Sequence, residues 1–422
     1  MSCSRVIGRM VGSHGIPASH STEVLHQTNL EKKVETSYSK TVLNDKPPTT
    51  LLVLGGTSQM GLPIIKKALT EGYSVLACSR GVPKEAKGGV QWLQVKEDQL
   101  GQVKFWKETF SKNIPEGNEV VLINTIGAAV APKGQTLEDV NAKPIMAATQ
   151  ALMQDENHSR KAIGHFSTIA ASFYPSDPEK QKMFCKQAKA YCRGRQEVDE
   201  FLRKSGLPVT IVRPGYMFSD PNASKTLVTK HPYSPEQFAN MSFHPVLGSG
   251  KQIQQPVYVG DVIDAVMNGV KKDEVNVVDA VGPDTMTQEE MFKFFTDLSG
   301  QPFKPVYIPY ELGQVIANYF PKGRLAPYSV GMFKHLENEG KEPLCKKKFE
   351  ALVGKPLTSM QDLYQNLGSE TLAFSKPPIA EHVKEILKGI ACSPTALAVL
   401  SYAVIKYGPG LFLQAVRQYL AS

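Results

Sequence analysis

After Leu54 the chain reads GGTSQMG, with Gly55, Ser58 and Gly61 spaced three apart. Small residues at this spacing let a chain turn tightly and let a phosphate approach its backbone. Bare amides at the positive end of a helix bind phosphate oxygens, so a turn of Gly55, Gly56, Thr57, Ser58 and Gly61 would cradle a pyrophosphate. Glycine is the expected middle residue, and Ser58 replaces it. Serine is small and keeps its amide, so phosphate binding tolerates it while φ there is negative. Its hydroxyl is available to add a phosphate hydrogen bond. The competing reading is a purely structural turn.

The second strand after this turn ends in Ser79-Arg80. An acid at that place would pair with the ribose hydroxyls of NAD. A serine and an arginine suit the 2′-phosphate of NADP, because guanidinium grips phosphate oxygens as a fork. The expected ligand is therefore NADP(H), with NAD(H) as the alternative and a plain surface role for Arg80 as the other reading. Asp98, after the third strand, is placed to reach the adenine amino group. The turn from Asn124 to Gly127 would flank adenine and ribose.

These residues converge only if strands and helices alternate. Short apolar runs ending at Leu54 and covering 73–78, 90–95, 119–124, 163–167 and 209–213 read as strands. Helical periodicity covers 62–70, about 137–153, and 186–204, with Gly72 stopping the first helix. The pattern predicts an α/β fold, a doubly wound (Rossmann) parallel sheet. Arg213-Pro214-Gly215 closes the sixth strand at the carboxyl edge, where ligands bind, and Pro214 and Gly215 would shape the wall near the nicotinamide. Beyond it lie a polar loop over 217–250, strands at 257–259 and 276–281, and Asp261 as a helix N-cap. From Thr287 the chain is mainly helical, a smaller substrate-side domain. The organisation is thus an N-terminal segment (1–48), a dinucleotide-binding domain (49–216), a substrate-side region with one strand returning to the core (217–368) and a helical extension (369–422).

Composition narrows the function. The net charge of +8 is scattered, its longest basic run being Lys346-Lys347-Lys348, which reads as a solvated surface or an attraction to anionic lipid. No nucleic-acid-binding pattern is present, so a nucleic-acid partner is not expected. The six cysteines are too dispersed for a zinc site or disulfide framework, and no metal is expected; Cys185 and Cys192 read as buried thiols on one helix. MSCSRVIGRMVGSHGIPASHST has two arginines, several serines and no acid, the composition of a mitochondrial transit peptide. Plastid or bacterial cytoplasm are the alternatives. TALAVLSYAVI, at 395–405, has about half the length of a membrane span. It reads as part of a helix hairpin packing on the body or a partner, with membrane-surface contact as the sharper alternative.

The chain resembles the atypical and extended short-chain dehydrogenase/reductases from about Leu51 to Tyr364. The resemblance rests on GGTSQMG, NTIGAA at 124–129, DVNAKP at 139–144, YCRGR at 191–195, LPVTIVRPG at 207–215 and QPVYVGDV at 255–262, in the family's order. RPG followed by PVYVGDV, and the tail FEALVGKPLTSMQDLY, look most like the nucleotide-binding accessory-subunit group of respiratory complex I and its bacterial relatives. That likeness implies a tightly held NADPH, little or no turnover, and partner subunits in a membrane-associated complex.

Active members of the family use a Tyr-x-x-x-Lys pair with an upstream Ser or Thr. Tyrosine is their acid/base on the substrate oxygen; lysine lowers its pKa and holds the nicotinamide ribose. Here Tyr191 matches the tyrosine and Arg195 stands at the lysine position, with Ser167 or Thr168 as the hydroxyl. Arginine keeps the charge and the donors but gives up no proton. The plain reading of Tyr191 is a packed helix aromatic, of Thr168 a strand-end residue, and of Asp199 and Glu200 solvent-facing or ion-paired acids. Three functions follow: a cofactor-holding accessory subunit; an active NADPH-dependent reductase or epimerase/dehydratase using Tyr191; and a redox sensor reporting the cofactor ratio.

Overall fold

The computed structural model describes residues 47–81, 88–128, 131, 134–184, 186–219, 244–298, 300, 302–319, 327–339 and 342–366. The transit-like segment before Pro47, the loop 220–243, Cys185 and the C-terminal extension lie outside the described residues. The elements follow in order: β1 (Thr49–Leu54), α1 (Gly61–Thr70), β2 (Ser74–Ser79), β3 (Val90–Gln94), α2 (Glu97–Leu100), α3 (Val103–Asn113), β4 (Glu119–Asn124), α4 (Leu137–Asn141), α5 (Lys143–Met153), β5 (Lys161–Phe166), α6 (Ile169–Phe173), α7 (Pro178–Gln181), α8 (Lys186–Arg203) and β6 (Val209–Pro214). Then come β7 (Met217–Phe218), β8 (His244–Leu247), β9 (Ile253–Gln254), β10 (Val257–Tyr258), α9 (Val259–Gly269), β11 (Val275–Ala280), β12 (Met286–Thr287), α10 (Gln288–Leu298), β13 (Pro305–Ile308), α11 (Tyr310–Tyr319), α12 (Pro327–Glu339), α13 (Lys347–Val353) and α14 (Met360–Gln365).

Seven strands form one parallel sheet in the order β11-β6-β5-β4-β1-β2-β3. The alternation of side chains explains the two helical layers. Leu51 and Val53 pack with α1, α9 and α13 on one face, while Leu52 and Leu54 pack with α3, α5 and α8 on the other. All four are fully buried. Burying each such side chain stabilises by roughly 1.5–3 kcal/mol. The expected doubly wound Rossmann sheet is the observed one. Reversal of strand order beside β1 opens a crevice at the carboxyl ends of β1 and β4, and the glycine turn lies at that edge.

Three local expectations need correction. The single helix expected over 137–153 is two, α4 and α5, because Pro144 sits at the start of α5 and has no N–H to continue the α4 ladder. Asp261 is not the N-cap of α9. Tyr258 holds that place, and Asp261 lies in the first turn, where it accepts from Thr358 N at 2.7 Å and Thr358 Oγ1 at 3.2 Å. Asp284 holds the next residues, accepting from Ser359 Oγ at 2.8 Å and Met360 N at 2.5 Å. Two carboxylates thus pin the segment before α14 to the sheet's edge. The substrate-side region also contains short strand pairs, β10 with β7, β12 with β9 and β13 with β8, which periodicity alone does not reveal. Among the described residues no helix is long and apolar enough to cross a membrane.

Candidate functional site

The turn between β1 and α1 is held by its own backbone. The amides of Gly55 and Gly56 both donate to Cys78 O, at 2.9 Å each, which bends the chain back over β2. Gly55 has φ +84°, a left-handed conformation that glycine adopts freely. A Cβ on Gly61 would lie 2.2 Å from Gly55 O, so the helix starts tight against the turn and only glycine fits. Ser58 Oγ accepts from Gly61 N at 2.8 Å and bonds Thr125 Oγ1 at 2.8 Å. Thr125 Oγ1 in turn lies 2.8 Å from Leu54 O and 3.0 Å from Gly55 O, to which it donates. A chain of hydroxyls therefore sews the turn to the end of β4. The Ser58 hydroxyl is thereby committed inside the turn, not left for a phosphate as expected.

Those bonds also decide which amides a phosphate would meet. Leu62 N and Ile64 N are bonded to Ser58 O and Met60 O, and Pro63 has no N–H. Among the described residues the amides of Thr57, Gln59 and Met60 have no partner. Three bare N–H groups before the positive end of a ten-residue helix are the donor set a pyrophosphate needs. The site fits a dinucleotide on that ground.

At the end of β2 the Ser79 hydroxyl donates to Gly81 O at 2.5 Å. Arg80 is exposed and pairs with Glu97 at 2.8 Å, while Gln135 Nε2 holds the other Glu97 oxygen at 2.6 Å. Asp98 is exposed on the short α2, and its contribution there is a backbone carbonyl that accepts from Gln102. The acid that engages Arg80 is its neighbour Glu97. Asn124 turns inward: it is 1% exposed, accepts from Ile126 N at 3.2 Å and donates to His165 Nδ1 at 3.0 Å. It shapes the turn rather than facing a ligand. Gly127 is exposed, and a Cβ there would strike the Arg195 guanidinium at 2.1 Å.

Below this turn lies a buried polar cluster. Arg195 is 4% exposed; its Nη1 donates to Phe166 O at 3.3 Å, and its guanidinium carbon lies 5.5 Å from the centre of the Tyr191 ring. Tyr191 packs in an apolar cluster with Ile169, Val281, Met332 and Leu336. One turn beyond Arg195, Asp199 is 1% exposed and pairs with Arg213 at 2.7 Å, not with solvent. Burial raises its carboxyl above the ordinary range, and Arg213 pulls it back. His165 lies 3.8 Å from Asp199. Its Nδ1 accepts from Asn124, whose oxygen is already engaged, so the ring carries its proton on Nε2. Burial, with Arg195 and Arg213 nearby, drives the His165 pKa well below the usual range, so the ring is neutral. Glu200 is exposed and paired with Arg203 and Lys204.

Ser167 and Thr168 end β5 side by side. Thr168 caps α6, accepting from Ala170 N at 3.3 Å. His165 Nε2 and Arg195 Nε are buried without a hydrogen-bond partner, and Ser167 helps to hold the Asp199 carboxylate. Pro214 ends β6, and Gly215 N donates to Ala280 O at 3.1 Å. Gly215 lines a pocket of about 460 Å³ with Ile169, Phe173, Val281, Met332 and Leu336. The fold thus gathers the glycine turn, Asn124–Gly127, Ser167, Thr168, Arg195 and the Pro214–Gly215 wall at one sheet edge, with Arg80 and Asp98 farther along the same edge, after β2 and β3.

Sequence reasoning placed Thr125 within the turn without a role of its own, and missed His165, Asn141 and Gln254. Thr125 and Asn141 stand inside quoted motifs, NTIG and DVNAKP. Asn141 brackets the turn, accepting from Ala128 N at 2.8 Å and donating to Ala128 O at 2.9 Å. His165 reads as one polar residue inside an apolar strand, a weak signal that pointed to this cluster.

Residues 55–242 match the family model described as NAD(P)H-binding. The chain is 24% identical over 278 residues to the Arabidopsis thaliana protein named NADH dehydrogenase (ubiquinone) 1 alpha subcomplex subunit 9, mitochondrial. The match takes in 63% of this chain and 61% of that protein, so this chain spans under two thirds of that relative's length. Among solved structures, UDP-glucose 4-epimerase of Thermotoga maritima with UDP-glucose superposes with TM-score 0.51 and 17% identity, over 76% of this chain and 98% of that one. The Bordetella bronchiseptica enzyme WbmG in complex with NAD gives TM-score 0.53 and 12% identity, over 77% and 94%. At those identities the structures attest the fold. The resemblance to extended and atypical short-chain dehydrogenase/reductases therefore holds at the level of fold and NAD(P)H-binding domain.

Proposed function

We propose that this chain, which carries an NAD(P)H-binding domain, holds a nicotinamide dinucleotide as a fixed part of its structure. It serves as an accessory subunit of a larger respiratory-type assembly. The observation that carries this reading is Arg195. Its guanidinium is buried against Phe166 O and Gly127 and lies over the face of Tyr191, instead of standing as a lysine that exchanges protons beside the phenol. The relative from Arabidopsis, by name a mitochondrial subunit of NADH dehydrogenase (ubiquinone), supports the same assembly and compartment. The transit-like N-terminus agrees.

A bound nicotinamide supplies a hydride donor or acceptor. The chain's own residues bind and orient it. The amides of Thr57, Gln59 and Met60 meet the pyrophosphate at the start of α1. Arg80 reaches the 2′-phosphate of NADP by exchanging its exposed pairing with Glu97, a surface contact worth little against a dianionic phosphate. The 124–127 turn lies along adenine and ribose, and Arg195, with one buried N–H unpaired, offers a donor to the nicotinamide ribose. The dinucleotide then stabilises the fold by mass action, since it binds the native state alone. The sequence divides, in this reading, into 1–48, 49–216, 217–368 and 369–422.

One observation favours a second reading, an active NADPH-dependent reductase with Tyr191 as acid. The 460 Å³ pocket opens beside α6, directly after Ser167 and Thr168, where a substrate would sit. The two readings separate in one experiment. Protein loaded with NADPH is mixed with carbonyl and quinone compounds, and loss of reduced-nicotinamide absorbance is followed. Stable NADPH supports the accessory reading; oxidation abolished by Tyr191→Phe overturns it.

A further inference from the structure

The pocket beyond Gly215 has a chemistry of its own. Its lining is mainly apolar: Ile169, Phe173, Val281, Met332, Leu336 and Leu344. Among the described residues that line it, the one charged side chain is Glu342, an anion. A phosphorylated ligand would need cations or bare amides, and would meet a carboxylate here instead. The polar side chains that remain are those of Tyr216 and of two neighbouring glutamines, and the glutamines differ. Gln255 is spent: its Oε1 accepts from Leu344 N at 2.6 Å and its Nε2 donates to Leu344 O at 3.2 Å, fixing Leu344 as a wall. Gln254 is 7% exposed and its Nε2 has no partner. A buried amide donor left unpaired carries a desolvation penalty that a ligand acceptor would remove. The terminal torsion of glutamine is broad, so that N–H turns readily toward a ligand.

We propose that this pocket binds an uncharged, largely apolar molecule with one hydrogen-bond-accepting oxygen, such as a long-chain ketone, held by Gln254 and excluded from being a sugar nucleotide by Glu342. The volume is in the range of small-molecule sites. The inference deepens the dinucleotide reading, on which it rests only for position: it names what the space at the nicotinamide end accepts, whether or not hydride transfer follows.

The test uses full-length protein loaded with NADPH, with decan-2-one and UDP-glucose as probes, by titration calorimetry and ligand-observed saturation-transfer NMR. Decan-2-one is expected to bind and UDP-glucose not. Gln254→Met keeps the length of the side chain and removes the amide, and should weaken decan-2-one about fivefold, the worth of one neutral hydrogen bond. Leu336→Trp fills the pocket and should abolish binding; if that variant does not fold, Gln254→Met carries the test. Equal affinity in the native and Gln254→Met proteins, no decan-2-one binding, or UDP-glucose binding that displaces decan-2-one would each overturn the proposal. Nucleotide content, read in the same samples, shows whether a failure belongs to the pocket or to the dinucleotide site.

Discussion

The hydroxyl of Ser58 lies 2.8 Å from the hydroxyl of Thr125, across the mouth of the glycine turn. That contact joins β1 to β4 at the edge where a dinucleotide would lie. It also turns an apparent defect, a missing glycine, into a brace. Ser58→Gly should remove two hydrogen bonds and leave Gly61 N unpaired. Chemical denaturation should show a loss of about 1–2 kcal/mol, with the nucleotide still bound. Unchanged stability would mean the brace is idle.

Gly61→Ala should damage the binding site itself. The added Cβ meets Gly55 O, a backbone atom that cannot swing aside. Overpacking of this kind costs about 1–3 kcal/mol. It also shifts the start of α1 away from the amides of Gln59 and Met60, so the purified variant should lack nucleotide. Retention of full nucleotide content would contradict the geometry.

Selectivity at the adenosine end should follow Arg80. Arg80→Ala is expected to weaken NADP(H) about tenfold while leaving NAD(H) nearly unchanged. Glu97→Gln releases Arg80 from its ion pair and should strengthen NADP(H). Titration of nucleotide-free protein with both cofactors checks both variants. Unchanged affinity for both cofactors in Arg80→Ala would assign Arg80 a surface role.

Stability should fall on mild acidification because of His165. Its folded pKa is depressed well below the unfolded value of about 6.5. The unfolded chain therefore binds the proton first. The contribution is fully present above about pH 6.5 and is lost as pH falls toward the folded pKa, by at most about 1.4 kcal/mol per pH unit. Denaturation of native protein and His165→Gln between pH 7 and pH 5 should show a shallower pH slope in the variant. Parallel slopes would mean the ring is not held neutral.

The fold and the turn were legible in the sequence because both rest on local signals. Buried parallel strands are continuous apolar runs, and a phosphate turn is a spacing of small residues. What could not be read depends on contacts far apart in the chain. Asp261 looks like a cap because it opens a helix, yet its partner, Thr358, is 97 residues on. Asp199 reads as solvent-facing or ion-paired, and only the fold decides between them: α8 turns it inward to Arg213 on β6. Ser58 gains its meaning from Thr125, 67 residues away. Pro144, by contrast, was a visible breaker inside the helix expected over 137–153.

The account's central claim is that this chain keeps a nicotinamide dinucleotide in place. The direct measurement is on full-length protein, purified without added nucleotide. It is split between acid extraction, which preserves oxidised cofactor, and base extraction, which preserves reduced cofactor, and the product is identified by mass spectrometry. The account predicts close to one NADP(H) per chain in the native protein and none in Gly61→Ala. Native, folded protein that yields no nicotinamide nucleotide and does not bind NADPH when it is supplied would contradict it.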